Sequence, residues 1–328
     1  MKKCCFIIPY FGKFPNYFSL FLKTCAWNQD FYWMIITDSN ENYEYPRNFT
    51  VIKMTFEELK KLIQSKFNFK IALDNPYKLC DYKPAYGYIF EEYLPDFKFW
   101  GHCDVDTLMG NLGKFITEDM FAAYDKIFCL GHMTIYKNTN ENNRIFMSSF
   151  NNVLLYKSVF SNNKICWFDE EWKNENNINE LFIYMGKKVF IQDLSLNFSI
   201  FKSQFVKTTY VGQTDDADTH GYILENHKKC LYLWNKGNIQ RYFIKNGQLV
   251  KEEFPYMHLQ KRNMYFRKEL LKCDSIRITA NYFLKYRKQF VDDDILKTLK
   301  EYPNLQYFYI YFLPKIKRFI KKYGKISI

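Results

Sequence analysis

The sequence lacks the short motifs that mark several common enzyme classes. It contains no Gly-x-Gly-x-x-Gly fingerprint, no Walker phosphate loop and no Gly-x-Ser-x-Gly element. These absences argue against dinucleotide oxidoreductases, P-loop NTPases and α/β-hydrolases. No recognised nucleic-acid module is present. No apolar run approaches the roughly 18 residues of a membrane helix, so we expect no bilayer span.

Paired cysteine motifs are absent as well. The nine cysteines are scattered, odd in number and without a C-x-x-C pair, whereas disulfide frameworks and zinc ribbons need closer spacing. We therefore expect reduced, mostly buried thiols in a cytosolic protein. The apolar start of the chain is interrupted by Pro9, Gly12 and Lys13 and lacks a small-residue cleavage site, so we do not expect export.

Charge is distributed very unevenly along the chain. The 328 residues are 48% hydrophobic and 20% aromatic, with a net charge of +12, and this composition predicts a folded globular protein. Residues 257–328 contain 17 Lys/Arg and 6 Asp/Glu, whereas the first 256 contain 30 and 29. The protein is thus a nearly neutral body with a basic C-terminal quarter.

The apolar pattern predicts strands that alternate with helices. Buried strands are expected at 4–9, 31–37, 51–54 and 97–103, and helices at 17–27, 56 onward and 82–94. Thr55 and Glu58 form a capping-box pattern for the second helix. Such alternation predicts an α/β fold with a mostly parallel, Rossmann-like sheet. No Pro-, Gly- or Ser-rich linker divides the chain, so we predict one main domain, 1–264, and a basic, aromatic, helical extension, 265–328.

The C-terminal half contains a hairpin pattern and an acidic helix start. Strand-like segments at 231–234 and 239–244 flank Lys236-Gly237-Asn238, and a second turn is expected at Asn246-Gly247. The Asn-rich segments near 140–143 and 174–177 predict surface loops. The three acids at 292–294 predict a helix N-terminus, where the helix dipole favours negative charge.

The most informative local feature is the pair Asp104 and Asp106, directly after the predicted strand 97–103. Two carboxylates so close together repel each other and are costly to desolvate unless a cation lies between them. A divalent Mg²⁺ or Mn²⁺ removes that cost and can bridge to a diphosphate. Alternatively, the two residues only begin a loop and cap the following turn.

A set of segments resembles a bacterial family of GT-A-type glycosyltransferases from capsule and O-antigen gene clusters. The resemblance covers roughly residues 3 to 264 and rests on the set as a whole, not on single pieces. Its segments are FIIPYFGKFPNYF at 6–18, ITD at 36–38, YKLCDYKPAYG at 77–87, FWGHCDVD at 99–106, GH at 131–132 and YMHLQKR at 256–262. It implies a GT-A fold, a nucleotide-sugar donor and a metal-binding Asp-x-Asp.

The resemblance also implies which residues bind the nucleotide sugar. After the first strand, a small residue and an aromatic can admit and stack a base. Asp38 resembles a carboxylate that bonds the nucleoside, or else it ends a strand as an Asx turn. Asp81 and Lys83 contact sugar and phosphate, or else they are a helix cap and a solvated first-turn residue. The expected set is Pro9, Tyr10, Gly12, Asp38, Asp81, Lys83 and Asp104.

A second cluster lies near the end of the resemblance. His258 is implied to complete the metal shell with Asp104 and Asp106, and neutral imidazole is a good Mn²⁺ ligand. Lys261 and Arg262 are implied to hold the diphosphate of the leaving nucleotide. The alternative is a helix start with an exposed basic face.

The acceptor side is expected to use carboxylates. An inverting transfer needs a base for the incoming hydroxyl, and the candidates are Asp169, Glu170 and Asp193. The alternative for 168–171 is a capped, solvent-facing helix start. The rival Asp-x-Asp at 216–218 lies in a polar segment, and we expect an exposed loop there.

The tail suggests where the protein acts. Between 313 and 323, apolar residues recur at helical spacing and five cations occupy the remaining face. Such a helix either binds an anionic bilayer or packs on the domain.

We expect a cytoplasmic hexosyltransferase, peripheral on the inner membrane face. It would use a nucleotide sugar, with UDP favoured by resemblance, and a saccharide or lipid-linked saccharide acceptor. The alternative is a non-catalytic protein that binds nucleic acid or an anionic surface through its basic quarter.

Overall fold

The structure is a computed structural model that describes residues 2–170, 176–199, 203–210, 222–225, 229–260, 262–300, 313 and 315–316. Within these residues the strands, in chain order, are β1 Lys2–Pro9, β2 Phe31–Thr37, β3 Phe49–Lys53, β4 Phe97–Cys103, β5 Thr107–Met109, β6 Lys126–Ile127, β7 Met133–Lys137, β8 Val189–Phe190, β9 Leu196–Ser199, β10 Gln204–Tyr210, β11 Tyr222–Leu224, β12 Leu231–Asn235, β13 Asn238–Lys245, β14 Gln248–Phe254, β15 Tyr256–His258, β16 Ser275–Ile278 and β17 Phe283–Lys285.

The helices of the described residues are mostly short. In chain order they are α1 Phe18–Ala26, α2 Phe56–Ser65, α3 Leu79–Tyr82, α4 Tyr86–Ile89, α5 Leu112–Phe115, α6 Glu118–Ala123, α7 Leu155–Phe160, α8 Ile178–Tyr184 and α9 Asp293–Lys297. 3₁₀ turns occur at Pro76–Lys78, Lys83–Ala85, Glu91–Tyr93, Asn142–Met147 and Lys268–Lys272. In this part of the chain no helix combines the length and hydropathy that crossing a bilayer requires.

A seven-stranded sheet with the order β3-β2-β1-β4-β7-β6-β8 forms the centre of the protein. Strands β1 to β4 are parallel to one another, and β7 pairs antiparallel with both β4 and β6. Two large apolar clusters cover its faces. The mixed α/β class with a parallel-rich sheet is thereby confirmed. Because β1, β2 and β4 run in one direction, their carboxyl ends meet at one edge of the sheet.

Local sequence signals account for several elements and fail at one. Thr55 Oγ1 accepts a bond from Glu58 N and Glu58 Oε2 accepts one from Thr55 N, which confirms the capping box of α2. The single helix predicted at 82–94 is wrong, because this stretch is divided into short turns. Pro84 cannot donate a helical hydrogen bond. The Trp100 indole also packs so closely on Gly87 that a Cβ there would lie 2.2 Å from the ring.

A second sheet adjoins the first at the strand that follows the Asp-x-Asp segment. Its order is β11-β10-β9-β15-β5. Strand β15 pairs antiparallel with β5 and parallel with β9, so that His258 lies opposite both Thr107 and Asn197. This register brings a late part of the chain against residues that directly follow β4.

The third sheet is antiparallel, with the order β14-β13-β12-β16-β17. Its two hairpins confirm the turn predictions: Lys236-Gly237 and Asn246-Gly247 all have positive φ, as the favoured two-residue hairpin turns require. Strands β16 and β17 follow Met264 yet pair into this sheet. The expected boundary after Met264 therefore falls between strands of one sheet.

The remaining C-terminal predictions have mixed outcomes. Asp292 caps α9 by accepting a bond from Ile295 N at 2.8 Å, which confirms the acidic helix start. Of the predicted tail helix at 313–323, the structure describes just Leu313, Lys315 and Ile316. The segments 171–175 and 211–221 lie outside the described residues. All nine cysteines are free thiols, and five of them are buried: Cys4, Cys5, Cys25, Cys103 and Cys129.

Candidate functional site

The Asp-x-Asp segment lies in the short connection between β4 and β5. The backbone fixes this connection at both carboxylate residues. Asp104 N donates to the His132 carbonyl at 3.0 Å, and Leu259 N donates to the Asp106 carbonyl at 2.8 Å. Asp106 is 3% exposed, whereas Asp104 is partly open to solvent. The two side chains are thus held at the carboxyl edge of the central sheet.

His258 completes a cluster with the two aspartates. One ligand atom from each of Asp104, Asp106 and His258 can be chosen so that all three lie within 4.8 Å of one another. His258 Nε2 lies 3.6 Å from Asp106 Oδ2. Two carboxylate oxygens and one imidazole nitrogen suit a divalent cation such as Mn²⁺ or Mg²⁺. The donor set therefore fits the expected metal.

The charges in the cluster also favour a bound cation. Burial disfavours the imidazolium form of His258, but the negative charges of Asp106 and Asp104 outweigh this effect and raise its pKa. Without a metal, the two carboxylates thus favour the protonated form of this histidine more than its burial alone would. A metal ion must displace that proton, so metal affinity depends on pH.

A hydrogen-bonded chain lies behind His258. Its Nδ1 lies 3.1 Å from Asn197 Oδ1, and Asn197 Nδ2 donates to Asp193 Oδ2 at 2.6 Å. Asp193 Oδ1 in turn accepts bonds from the backbone N and the hydroxyl of Ser195 at 2.9 and 2.7 Å. The bond to Asn197 assigns the Nδ1 proton and leaves Nε2 toward the metal cluster.

These hydrogen bonds place Asp193 behind a candidate metal ligand. Its carboxyl is buried at 3% exposure and hydrogen-bonded behind His258, whereas from the sequence we expected it among the candidate bases on the acceptor side. Asn197 was not anticipated. The available signal was the alternation of Asp193, Ser195 and Asn197, since residues two apart on an extended strand share one face.

Lys83 links the aspartate pair to the expected acceptor residues. Its Nζ donates to Asp104 Oδ1 at 2.9 Å and to the Gly131 carbonyl at 2.7 Å, and lies 3.3 Å from Asp169 Oδ2. Burial alone would lower the pKa of Lys83, but Asp104 and Asp169 hold it well above its ordinary value. Lys83 is therefore a charged, mostly buried residue of the site and not a solvated one.

Asp169 and Glu170 lie beside Gly131. Glu170 Oε2 accepts a bond from Gly131 N at 3.2 Å. A Cβ on Gly131 would lie 2.6 Å from Asp169 Oδ2 and 3.0 Å from Glu170 Oε2, so the carboxylates approach because this residue is glycine. Burial raises the pKa of both carboxyls, although Lys83 opposes that shift. Asp169 is buried and Glu170 half-buried, so neither carboxylate is fully open to solvent as the alternative interpretation expected; residue 171 lies outside the described residues.

The loops after β1 and β2 meet at the same edge. Gly12, with φ +90°, donates its N–H to the exposed Asp38 Oδ1 at 3.0 Å. Tyr10 follows Pro9, the last residue of β1, and its ring stacks on Phe14 at 4.7 Å between centroids. Burial and the negative charges of Asp106 and Asp104 raise the pKa of Tyr10. Pro9, Tyr10, Gly12 and Asp38 thus lie at the carboxyl edge of the sheet, and Tyr10 is near enough to Asp104 and Asp106 to be affected by their charge.

Asp81 requires a correction. Its side chain is fully buried and forms an ion pair of 2.7 Å with Lys78, which is equally buried. Its oxygens also accept bonds from the backbone N–H groups of Cys166 and Phe168. Because every bond points into the protein, Asp81 does not contact a sugar, nor does it cap a helix. It anchors the segment that leads to Asp169.

Arg262 requires a similar correction. It is 5% exposed, donates to the carbonyls of Leu259 and Ala280, and stacks 3.3 Å from the centroid of the Phe198 ring. Burial lowers its pKa to about 9, against the opposing effects of Tyr17 and Asp106. The Nε and Nη1 atoms of this guanidinium are thus bonded inside the protein beside β9 and β15, and the buried Nη2 makes no hydrogen bond to any group that the structure describes. Lys261 lies outside the described residues.

Fold and site together define an α/β protein with a candidate carboxylate–histidine metal centre. Residues 6–287 match the model of a family described as a family of unknown function, DUF6625, and the chain belongs to this family. No curated protein matches the chain. A crystal structure of an active-site mutant of LgtC is similar at 7% identity and a TM-score of 0.38, over 82% of this chain and 94% of that one. Similarity at this level identifies no activity.

Proposed function

We propose that the protein is a metal-dependent GT-A-type glycosyltransferase. It would move a hexose from a nucleotide sugar, with UDP favoured, to a saccharide or lipid-linked saccharide acceptor. The observation that carries the proposal is the Asp104–Asp106–His258 cluster at the sheet edge where the loops after β1 and β2 also meet. In open α/β sheets this edge is where ligands bind.

The nucleoside would lie against the first two loops. Asp38 offers an exposed carboxylate beside Gly12, whose lack of a Cβ leaves open space. Tyr10 would supply an aromatic ring for the base; it stacks on Phe14 and is affected by the charges of Asp104 and Asp106. A hydrogen-bond acceptor, a flat ring and an open backbone suit a base and a ribose.

The diphosphate would lie next to the cluster. A bound Mn²⁺ or Mg²⁺ neutralises phosphate charge and assists departure of the nucleoside diphosphate. Asp104, Asp106 and His258 would hold the ion, and Asn197 and Asp193 would orient His258. Lys83 supplies a fixed positive charge on the Asp104 side of the cluster.

The acceptor would enter beside Asp169 and Glu170. A carboxyl whose pKa is raised toward neutrality is a better proton acceptor for an incoming hydroxyl than an ordinary exposed one. Lys83 keeps Asp169 partly charged at 3.3 Å. We assign the base to this pair and a positioning role to Asp193, which lies behind His258.

The remaining predictions concern the biological process and the cellular location in which the protein acts. We propose a role in bacterial surface-polysaccharide synthesis, at the inner membrane face, with the basic tail as the attachment. Binding of the full chain and of a chain ending at Ile310 to anionic vesicles would test this. If both bind equally, the tail is not the attachment.

Nucleotide sugars themselves test the catalytic proposal. Purified protein is heated with a panel of nucleotide sugars, with and without Mn²⁺, and slow hydrolysis is followed in parallel. We expect one donor to raise the melting temperature only when metal is present. Asp106→Asn should abolish both signals, whereas Asp119→Asn, on the exposed start of α6, should preserve them. Metal-independent binding, or full activity of Asp106→Asn, would contradict the proposal.

A further inference from the structure

A second concave surface lies on the third sheet, away from the metal cluster. It is a groove of about 1110 Å³ between strands β12 and β13, the start of β16 and the segment 285–291. The opposite face of β12 supplies Tyr232 and Trp234 to the core. The groove therefore lies on the other face of the sheet, beside α9, whose Ile295 and Leu296 pack there with Leu231 and Leu233. It shares no residue with the candidate active site.

The groove is strongly basic. Asp274 is the single acidic residue among those that line it. Its cations are all exposed, and within the described part of the chain none of them forms an ion pair. They are Lys236, Lys272, Lys285, Arg287 and Lys288. Five unpaired cations around a concavity create a positive potential that attracts anions.

Aromatic rings line the same groove and two of them are held in place. Tyr242 OH donates to Gln240 Oε1 at 3.1 Å, and Tyr286 OH donates to the Phe290 carbonyl at 3.2 Å. Phe290 itself is 79% exposed. Exposure of this apolar ring to water is unfavourable in free energy, and a ligand that covers the ring would remove that penalty.

Neutral polar side chains also line the groove: Asn235, Gln240, Ser275 and Gln289. The Ser275 hydroxyl donates to Asn235, and the buried Gln240 amide bonds Glu253 and Tyr242, whereas the Gln289 amide is exposed. Amides and hydroxyls match the hydroxyl groups of a sugar, and aromatic faces match the apolar C–H faces of its ring. Cations match acidic substituents. Its volume of about 1110 Å³ exceeds the range of roughly 300–1,000 Å³ that holds one drug-sized ligand.

We propose that this groove binds an anionic saccharide chain, one that carries carboxylate or phosphate groups, at a site separate from the metal cluster. The choice of a saccharide rests on the proposed function, whereas the choice of an anionic chain rests on the charge and size of the groove. A flat bilayer reaches the rim of a concavity but not its floor. A flexible chain reaches both.

The test uses the full chain without metal or nucleotide sugar, and an oligogalacturonate as the probe. Binding is measured by calorimetry at several salt concentrations. The same oligosaccharide with its carboxylates converted to methyl esters is the uncharged comparison. We expect salt-sensitive binding of the acid form and about tenfold weaker binding of the ester, because ion pairs with carboxylates are lost.

Two variants and a matched control locate the binding. The triple change Lys285→Gln, Arg287→Gln and Lys288→Gln should weaken binding at least about tenfold, and Phe290→Ala should weaken it several-fold. All four side chains are exposed, so folding should persist and thermal unfolding should verify this. The control removes three exposed cations from the neutral body: Lys61→Gln, Lys70→Gln and Lys157→Gln. Its binding should match that of the unaltered protein.

Other outcomes decide against the proposal. Binding that survives the triple change would overturn it, as would absence of binding. Tighter groove-dependent binding of single-stranded DNA would assign the groove to nucleic acid, and groove-dependent binding of anionic vesicles would assign it to lipid. Asp106→Asn should leave oligogalacturonate binding unchanged, so failure of the catalytic proposal and failure of the groove proposal are distinguishable.

Discussion

Asn197 joins His258 to Asp193, with its amide oxygen 3.1 Å from the imidazole Nδ1 of His258 and its amide nitrogen bonded to the Asp193 carboxylate. The two polar ends of one amide thus connect a candidate metal ligand to a buried carboxylate. Outer partners of this kind fix the ring orientation and tautomer of a ligating histidine.

Removing this amide should weaken metal binding without removing a ligand. We expect Asn197→Ala to lower Mn²⁺ affinity by about 10–100-fold, measured by calorimetry on the protein without nucleotide sugar. Asn140→Ala, in an exposed loop, is the matched control and should bind as before. Equal affinities in the two variants would show that Asn197 has no positioning role.

Gly131 permits the approach of two carboxylates, and adding a methyl group should disturb them. Since a Cβ would lie 2.6 Å from Asp169 Oδ2, we expect Gly131→Ala to lower the free energy of unfolding by about 1–3 kcal/mol. It should also reduce donor turnover. Gly113→Ala is the control, because the nearest atom to its Cβ is 3.8 Å away. Similar effects of both changes in urea unfolding would argue against the steric explanation.

The buried pair of Lys78 and Asp81 should affect folding and not donor recognition. Lys78→Met leaves the Asp81 carboxylate buried without its counter-charge, and we expect a loss of about 3–5 kcal/mol of stability. The folded fraction should still bind the donor with unchanged affinity, measured by calorimetry below the unfolding range. Asp74→Asn breaks an exposed pair with Lys60 and should cost less than about 1 kcal/mol. A selective loss of donor affinity in Lys78→Met would indicate that Asp81 takes part in donor binding, against our interpretation.

Glu253 should contribute acid-sensitive stability. Burial raises the pKa of Glu253, but bonds from Lys114, Lys251 and Gln240 outweigh burial and lower it from 4.5 to about 2. A depressed carboxyl pKa stabilises the fold above the unfolded value, and this contribution is lost as pH falls from about 4.5 to about 2. Allowing for solvent screening at the half-exposed lysines, the contribution is about 1–2 kcal/mol.

Urea unfolding across this pH range checks the expectation. Glu253→Gln should remove the corresponding part of the pH dependence, while Glu57→Gln, at an exposed position of α2, should leave it in place. Parallel curves for the unaltered protein and Glu253→Gln would mean that the ion pairs add nothing.

Local signals in the sequence predicted much of the central sheet. Strands β2 and β4 match their predicted bounds. The nearly unbroken apolar run of β2 is buried on both faces, and β4 is buried from Phe99 to Cys103. The capping box of α2 depends on residues three apart. The helix predicted at 82–94 failed partly at Pro84, which the sequence shows. The close packing of Trp100 on Gly87 is a contact across the fold that periodicity does not reveal.

The sequence indicated which kinds of residue form the site, but not the function of each one. The aspartate pair stands out in the sequence, but burial decides what the other charged residues do, and burial is a tertiary property. Asp81 and Arg262 are polar residues whose bonds all lie inside the protein. The alternation of Asp193, Ser195 and Asn197 could place Asn197 on a polar strand face, but its contact with His258 depends on the register of β9 beside β15.

The pairing of β5 with β15 also makes the metal cluster depend on a contact between distant parts of the chain. Asp106 and His258 come from distant parts of the chain. They approach each other only when β15 has paired with both β5 and β9. The first sheet can gather its parallel strands earlier, since their contacts span shorter loops. A nascent or partly unfolded chain would therefore present the loops after β1 and β2 before it could bind metal. Metal affinity would then report completion of the whole fold.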